Sequence, residues 1–218
     1  RATDIELREG KAHFDLVTPE GRSTVALRLY GLHQIGNALA AAAAAHILGF
    51  STEQISGALS TAEVNARWRM EVKELNDLVL VNDAYNASPD SMVAALKVLA
   101  HLSQERGGES WAFLGKMREL GESSQKEHQE IGTLALELGI DHLVAVTAPE
   151  YGQALPADSA ISLHLCSTKE EALEIARFMS RGDVALCKAS RSEGLELLAE
   201  EIEKMWGEKL GEEEDVNR

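Results

Sequence analysis

The sequence is short of several things at once, and each shortage excludes something. It has two cysteines, Cys166 and Cys187, each inside an apolar run. That is too few for a disulfide framework or a zinc site, so both read as buried thiols of a reducing compartment. Basic residues are outnumbered, 21 Lys and Arg against 36 Asp and Glu, for a formal charge of -15. Such a chain repels nucleic acid and anionic lipid surfaces, which excludes both as partners. The longest apolar stretch, Ala38 to Leu48, is mostly alanine and contains His46. It is too short and too weakly apolar to span a bilayer. The opening residues, Arg1-Ala2-Thr3-Asp4-Ile5-Glu6, are not a signal peptide. The chain also lacks an initiator methionine and begins inside what reads as a sheet, as a fragment or an engineered piece would.

Familiar catalytic signatures are missing too. Gly115-Lys116 invites a phosphate-loop reading, but Ser110 stands where the first glycine is needed and Met117 where Ser or Thr is needed. There is no G-x-G-x-x-G, no H-E-x-x-H and no metal-spaced His/Cys cluster. The acidity does not exclude ATP, because a small ligand answers to the field of its pocket. If ATP is used, the cradle for its phosphates lies elsewhere.

What is present is a clear order of elements. Residues 4 to 30 alternate polar and apolar as a β-meander, with turns at Gly10 and Glu20-Gly21. A helix is expected from His33 to Leu48, stopped by Gly49, and another from Ser51 to about Thr61. Beyond Arg69 strands and helices alternate: strands near Met70 to Val72 and at 78–81, helix 90–103, strand 110–114, helix 122–138, strands 142–147 and 161–166, helix 168–180, strand 183–187 and helix 192–206. This predicts an α/β fold, a Rossmann-like, mostly parallel sheet with helices on both faces. Ligands of such sheets sit beyond the carboxyl ends of the strands, so the segments Asp83 to Ser88, Gly115 to Glu122 and Lys188 to Ser192 are the places to look. Gly207 to Arg218 is acidic and poor in apolar residues and reads as a disordered end.

Asn82-Asp83-Ala84-Tyr85-Asn86-Ala87-Ser88-Pro89-Asp90-Ser91 follows an apolar strand and precedes a helix with Ser88 to cap it and Pro89 in its first position. An aspartate there could accept bonds from ribose hydroxyls, and a tyrosine could stack on a base. An Asx turn with an N-cap uses the same residues, and on residue chemistry alone that is the stronger explanation.

The segment resembles the D-S-Y-N-A-N-P-x-S signature of the Mur ligases, in the branch that adds D-alanyl-D-alanine. Three further stretches resemble the family in order and spacing. Gly31 to Ala41 is similar to G-x-H-N-x-x-N-x-x-A-A, Leu114 to Glu122 with His128 to L-G-D-M-x-E-L-G-E…H, and Lys188-Ala189-Ser190-Arg191 to the late K-G-S-R. The resemblance implies a C-terminal piece: residues 1–70 as the end of a central ATPase domain, 71–206 as the C-terminal domain, and 207–218 as the tail. The phosphate loop and the magnesium ligands of the family would lie upstream.

It also implies an activity, ATP-driven amide formation. The carboxylate of UDP-MurNAc-tripeptide attacks the γ-phosphate to give an acyl phosphate, and the amine of D-Ala-D-Ala then displaces phosphate. ATP and Mg2+ are the implied cofactors, and a monomeric enzyme of the bacterial cytoplasm is the implied setting. For ATP the resemblance points to Asn37 at the adenine, Arg69 at the phosphates (with Arg67 close by), Asp83 at the ribose, and Tyr85 and Asn86 in the same pocket. Lys188, Ser190 and Arg191 would face the dipeptide. His33, His46 and His128 read as structural. The isolated piece is expected to be inactive. Three residues depart from the family pattern: Gln34 for Asn, Lys116 for Asp and Ala189 for Gly. Two other readings stay open, a sister amino-acid or folate-type polyglutamate ligase and a non-catalytic small-molecule binding module.

Overall fold

The computed structural model describes residues 1–63 and 66–216, with side chains to 207. The chain divides into two compact units, Arg1–Ala66 and Arg67–Arg218. The division falls a few residues before the expected boundary at 70.

In the first unit, β1 (Ala2–Arg8), β2 (Lys11–Thr18) and β3 (Gly21–Tyr30) form an antiparallel sheet in chain order. Alternation along β2 and β3 buries Ala12, Phe14, Leu16, Val25 and Leu27 on one face. That face is covered by Ile35, Ala38 and Ala42 of α1 (Gln34–Ile47) and by Ile55 of α2 (Thr52–Thr61). Ser51 caps α2 with its hydroxyl, and the Gln54 side chain returns a bond to the Ser51 N–H.

The second unit is built on a six-stranded sheet in the order β4-β5-β9-β6-β7-β8. Strands β5 (Leu78–Asn82), β6 (Ser110–Leu114), β7 (His142–Val146), β8 (Ser162–Cys166) and β9 (Val184–Lys188) run parallel, and β4 (Glu71–Leu75) is antiparallel to β5. Every residue of β5, β6 and β9 is buried, as expected of central strands covered on both faces. On one face Leu80, Trp111, Phe113, Val144 and Cys187 pack against α5 (Lys169–Ala176) and α6 (Leu195–Val216). The other face meets α3 (Pro89–Arg106), which buries Met92, Ala95, Leu96 and Leu99. Each of its larger apolar side chains contributes roughly 1.5–3 kcal/mol. Helix α4 (Ser124–Glu137) packs beside it.

Element order and type follow the sequence expectation, with differences at the ends. Helix α3 runs on to Arg106 and stops at Gly107, whose backbone is left-handed, as glycine permits. Helix α5 ends at Ala176, shorter than expected. The stretch after Arg191 opens with a short 3-10 turn before α6 begins at Leu195. Helix α6 then continues to Val216, through most of the segment expected to be disordered. In this stretch the four glutamates, Lys209 and Leu210 are good helix formers, against the two glycines Gly207 and Gly211. Asn217 and Arg218 lie outside the described residues. Among the described residues no helix is long and apolar enough to cross a membrane.

Candidate functional site

The strand order sets the site. Because β9 lies between β5 and β6, the three segments that follow these strands meet at one edge of the sheet. Asn82 is level with Cys187, and Leu114 with Lys188. Backbone bonds then tie the segments together: Asp83 N–H to the Cys187 carbonyl at 2.9 Å, Gly115 N–H to the Lys188 carbonyl at 3.0 Å, and Ser190 N–H to the Lys116 carbonyl at 3.0 Å.

Lys188 is at the centre and is only 1% exposed. Its ammonium donates to Asp83 Oδ2 at 2.6 Å and to the Asn86 carbonyl at 2.9 Å. Burial pushes this ammonium below the usual lysine range; Asp83 opposes that shift, and the charge of Arg69 adds to it. The second carboxylate oxygen of Asp83 accepts from Met70 N–H at 2.9 Å. Asp83 therefore stands fixed at the strand end with part of its side chain, 15%, still exposed. Each of its oxygens has a second lone pair available. Lys188 orients Asp83, and its own ammonium is turned inward to it.

Tyr85 follows on the exposed side of the turn, 41% exposed, with the Arg69 guanidinium 4.0 Å from its ring centre. Such a cation over a ring face is worth about 0.5–1 kcal/mol at an exposed site, weak enough to be exchanged. Asn86 is exposed beside it. Ser190 is 4% exposed, and its hydroxyl bridges two segments by accepting from Arg118 N–H at 2.9 Å and donating to the Ala87 carbonyl at 3.4 Å. Arg191 lies over Trp68 at 4.3 Å and pairs with the buried carboxylate of Glu196.

Seven of the eight residues singled out in the sequence are thus in the second unit and share one end of its sheet. The eighth, Asn37, lies on α1 of the first unit, exposed, its amide donating to Gln34 Oε1 at 2.9 Å. Gln34, one of the departures, partners the very residue expected at the adenine. The Ala189 departure is accommodated without strain: Ala189 is fully buried without a left-handed backbone, and a Cβ on Gly115 would come within 2.8 Å of its own. Lys116 is half-buried at the end of β6. His128 accepts from Met117 N–H at 3.0 Å and lies 2.6 Å from the Ser124 carbonyl through Nδ1. With Tyr151 donating to the Gly115 carbonyl at 2.8 Å, it clamps the 115–122 segment from below. Sequence reasoning missed Trp68 and Glu196. The signal that could have found the first is the aromatic residue set between two arginines, Arg67 and Arg69.

A parallel sheet covered on both faces, with acid, amine, aromatic and guanidinium groups gathered at the carboxyl ends of its strands, is the arrangement of a ligand-binding α/β domain. Comparison with known proteins identifies the family. Residues 68–191 match the model described as "Mur ligase, glutamate ligase domain". The UDP-N-acetylmuramoyl-tripeptide–D-alanyl-D-alanine ligase of Mycobacterium bovis is 37% identical over 213 residues, 88% of this chain and 42% of the relative. The Escherichia coli ligase of the same name is 31% identical over 197 residues, 89% of this chain and 42% of the relative. A crystal structure of MurF from Acinetobacter baumannii superposes with a TM-score of 0.81 at 34% identity, covering 93% of this chain and 44% of that one. MurF from Thermotoga maritima in complex with ADP gives a TM-score of 0.78 at 25% identity, covering 95% and 47%. The chain belongs to the Mur ligase family, and its second unit is the C-terminal domain of a MurF-like member. It spans less than half the length of the curated relatives it matches.

Proposed function

We propose that this chain is the part of a D-Ala-D-Ala-adding ligase that closes over the nucleotide and delivers the amine to an acyl phosphate formed on UDP-MurNAc-tripeptide. The observation that carries this reading is the convergence of Asp83, Tyr85 and Arg69 with Ser190 and Arg191 at one end of the sheet. Asp83 would accept from the ribose hydroxyls, with Lys188 fixing its orientation. Tyr85 and Asn86 would line the same pocket. Arg69, parked on Tyr85, is a forked, permanently charged partner for phosphate oxygens. Asn37 offers both a donor and an acceptor to an adenine edge. The first unit would then supply the end of the central ATPase domain.

Magnesium supplies charge neutralisation in phosphoryl transfer. The described residues contain no group of three or more His, Cys, Asp or Glu side chains that could hold a metal ion. An amide NMR titration of the chain with D-Ala-D-Ala, with L-Ala-L-Ala as control, tests the reading. Shifts around Asp83, Met117 and Arg191 with the D,D isomer alone are the expected result. An equal response to both isomers would favour a sister ligase, and no response in these segments would remove the dipeptide assignment. Assayed alone with ATP, UDP-MurNAc-tripeptide and D-Ala-D-Ala, the chain should show no turnover.

A further inference from the structure

Arg191 is held more firmly than a surface arginine needs to be. Its side chain is 49% exposed, yet Nη1 pairs with Glu196, whose side chain is only 7% exposed. Its guanidinium carbon also lies 4.3 Å from the centre of the Trp68 indole. The other oxygen of Glu196 is buried and has no hydrogen-bond partner among the described residues. Leaving a carboxylate oxygen buried and unpaired is unfavourable, and an apolar residue there would pack without that penalty. Trp68 is held in a costly way too. Its backbone is left-handed at φ 59°, a region that residues with a Cβ avoid. Its N–H donates to Glu71 at 3.3 Å, and its carbonyl accepts from Tyr85 N–H at 3.0 Å. Two locally unfavourable features therefore meet on one guanidinium, and their common effect is to fix its position.

We propose that Trp68 and Glu196 are positioning residues that hold Arg191 as a preformed fork for the carboxylate of the amine substrate. This rests on reading this end of the sheet as the amine site. Of the five N–H donors of Arg191, one has an acceptor among the described residues, which leaves a pair free for two parallel bonds. The chemistry favours a carboxylate over a polyphosphate. Glu196 offsets the charge of Arg191 itself, so this guanidinium offers chiefly directional hydrogen bonding, suited to a planar monoanion. Preorganising the fork removes the cost of ordering a long side chain when the ligand arrives.

The test follows the Arg191 Nε–Hε resonance of the 218-residue chain during titration with D-Ala-D-Ala, D-alanyl-D-alaninol and inorganic phosphate. D-Ala-D-Ala should shift it, and the alaninol, which lacks the carboxylate, should not. Trp68→Ala and Glu196→Gln should each weaken D-Ala-D-Ala binding about tenfold, the scale of one charge-assisted bond. Trp68→Phe, which keeps a ring face, should stay within about twofold. Amide spectra unchanged outside these segments would show that the variants fold. Unchanged affinity in Trp68→Ala and Glu196→Gln overturns the proposal, as does an Arg191 resonance that moves with neither anion. A shift with phosphate alone, weakened by the same variants, removes the amine-site reading and leaves the positioning roles standing.

Discussion

At the amino end of the parallel strands Asp183 is 3% exposed and accepts three N–H bonds, from Glu109 and Ser180 backbone and from the Trp111 indole, at 2.8–2.9 Å. At the carboxyl end Asp83 is also largely buried, but its strongest partner is the ammonium of Lys188. The first carboxylate is a rivet. Its donors are two backbone groups and a core indole, none of which can leave, and Asp141 beside it accepts from both the N–H and the hydroxyl of Ser110 in the same manner. The second sits in a set of charged side chains that can re-pair. Arg69 rests on an exposed ring, and Arg191 has free donors. One end of the sheet uses its acids to close the fold, and the other keeps them oriented and partly exposed. The kind of partner, more than the degree of burial, distinguishes them.

Four measurements test that contrast. The largest effect should come from Asp183→Asn, which places an amide N–H against donors. Denaturant unfolding should show a loss of about 3 kcal/mol, and no change of partner should restore it, since two of the donors are backbone. Next, Asp83→Asn removes the counter-ion of the buried Lys188 ammonium, which keeps the Asn86 carbonyl as an acceptor, and should cost about 2 kcal/mol, the scale of one charged hydrogen bond. The double variant Asp83→Asn with Lys188→Met should regain stability to within about 1 kcal/mol of the parent, because a buried pair is replaceable as a unit. On the proposed reading of Asp83, ADP titration should detect no nucleotide binding in either the single or the double variant. Failure of the double variant to recover would make this end a rivet as well.

A smaller effect is expected from Gly115→Ala, whose new methyl would lie 2.8 Å from that of Ala189. It should destabilise by about 1–2 kcal/mol, and adding Ala189→Gly should reverse the loss. The smallest belongs to the amino end. His164 sits below the usual histidine range, because burial and then the charge of neighbouring His142 disfavour its protonated form. As pH falls through about 6.5 the unfolded chain binds this proton first, so folded stability should decline from there downward. In His164→Gln that part of the slope should disappear from the stability–pH profile.

How much of this was legible beforehand depends on the range of the interaction concerned. The Pro89 and Asp90 helix start, the alternation in β2 and β3, and the continuous apolar runs of β5, β7 and β9 are local facts, written in residues that touch their own chain neighbours. They gave the class of fold, the element order and the segments worth searching. The end of α5 was misjudged because helix ends answer to packing as well as composition, and the reach of α6 because an acidic segment poor in apolar residues can still be helical. Trp68 could not be placed, since nothing local requires a tryptophan to take a left-handed backbone.

Local pattern along the chain is enough to give an α/β fold whose Asp83, Gly115 and Lys188 segments each follow a strand, and the motifs carry the family. That these segments are neighbours is a property of the folded chain, because the last strand, β9, inserts between β5 and β6. The folded chain also decides that Lys188 faces Asp83 rather than solvent, and that Glu196 lies beneath Arg191. These are contacts across long sequence separations or across a turn, set by strand order and burial, and no period or spacing along the chain encodes them.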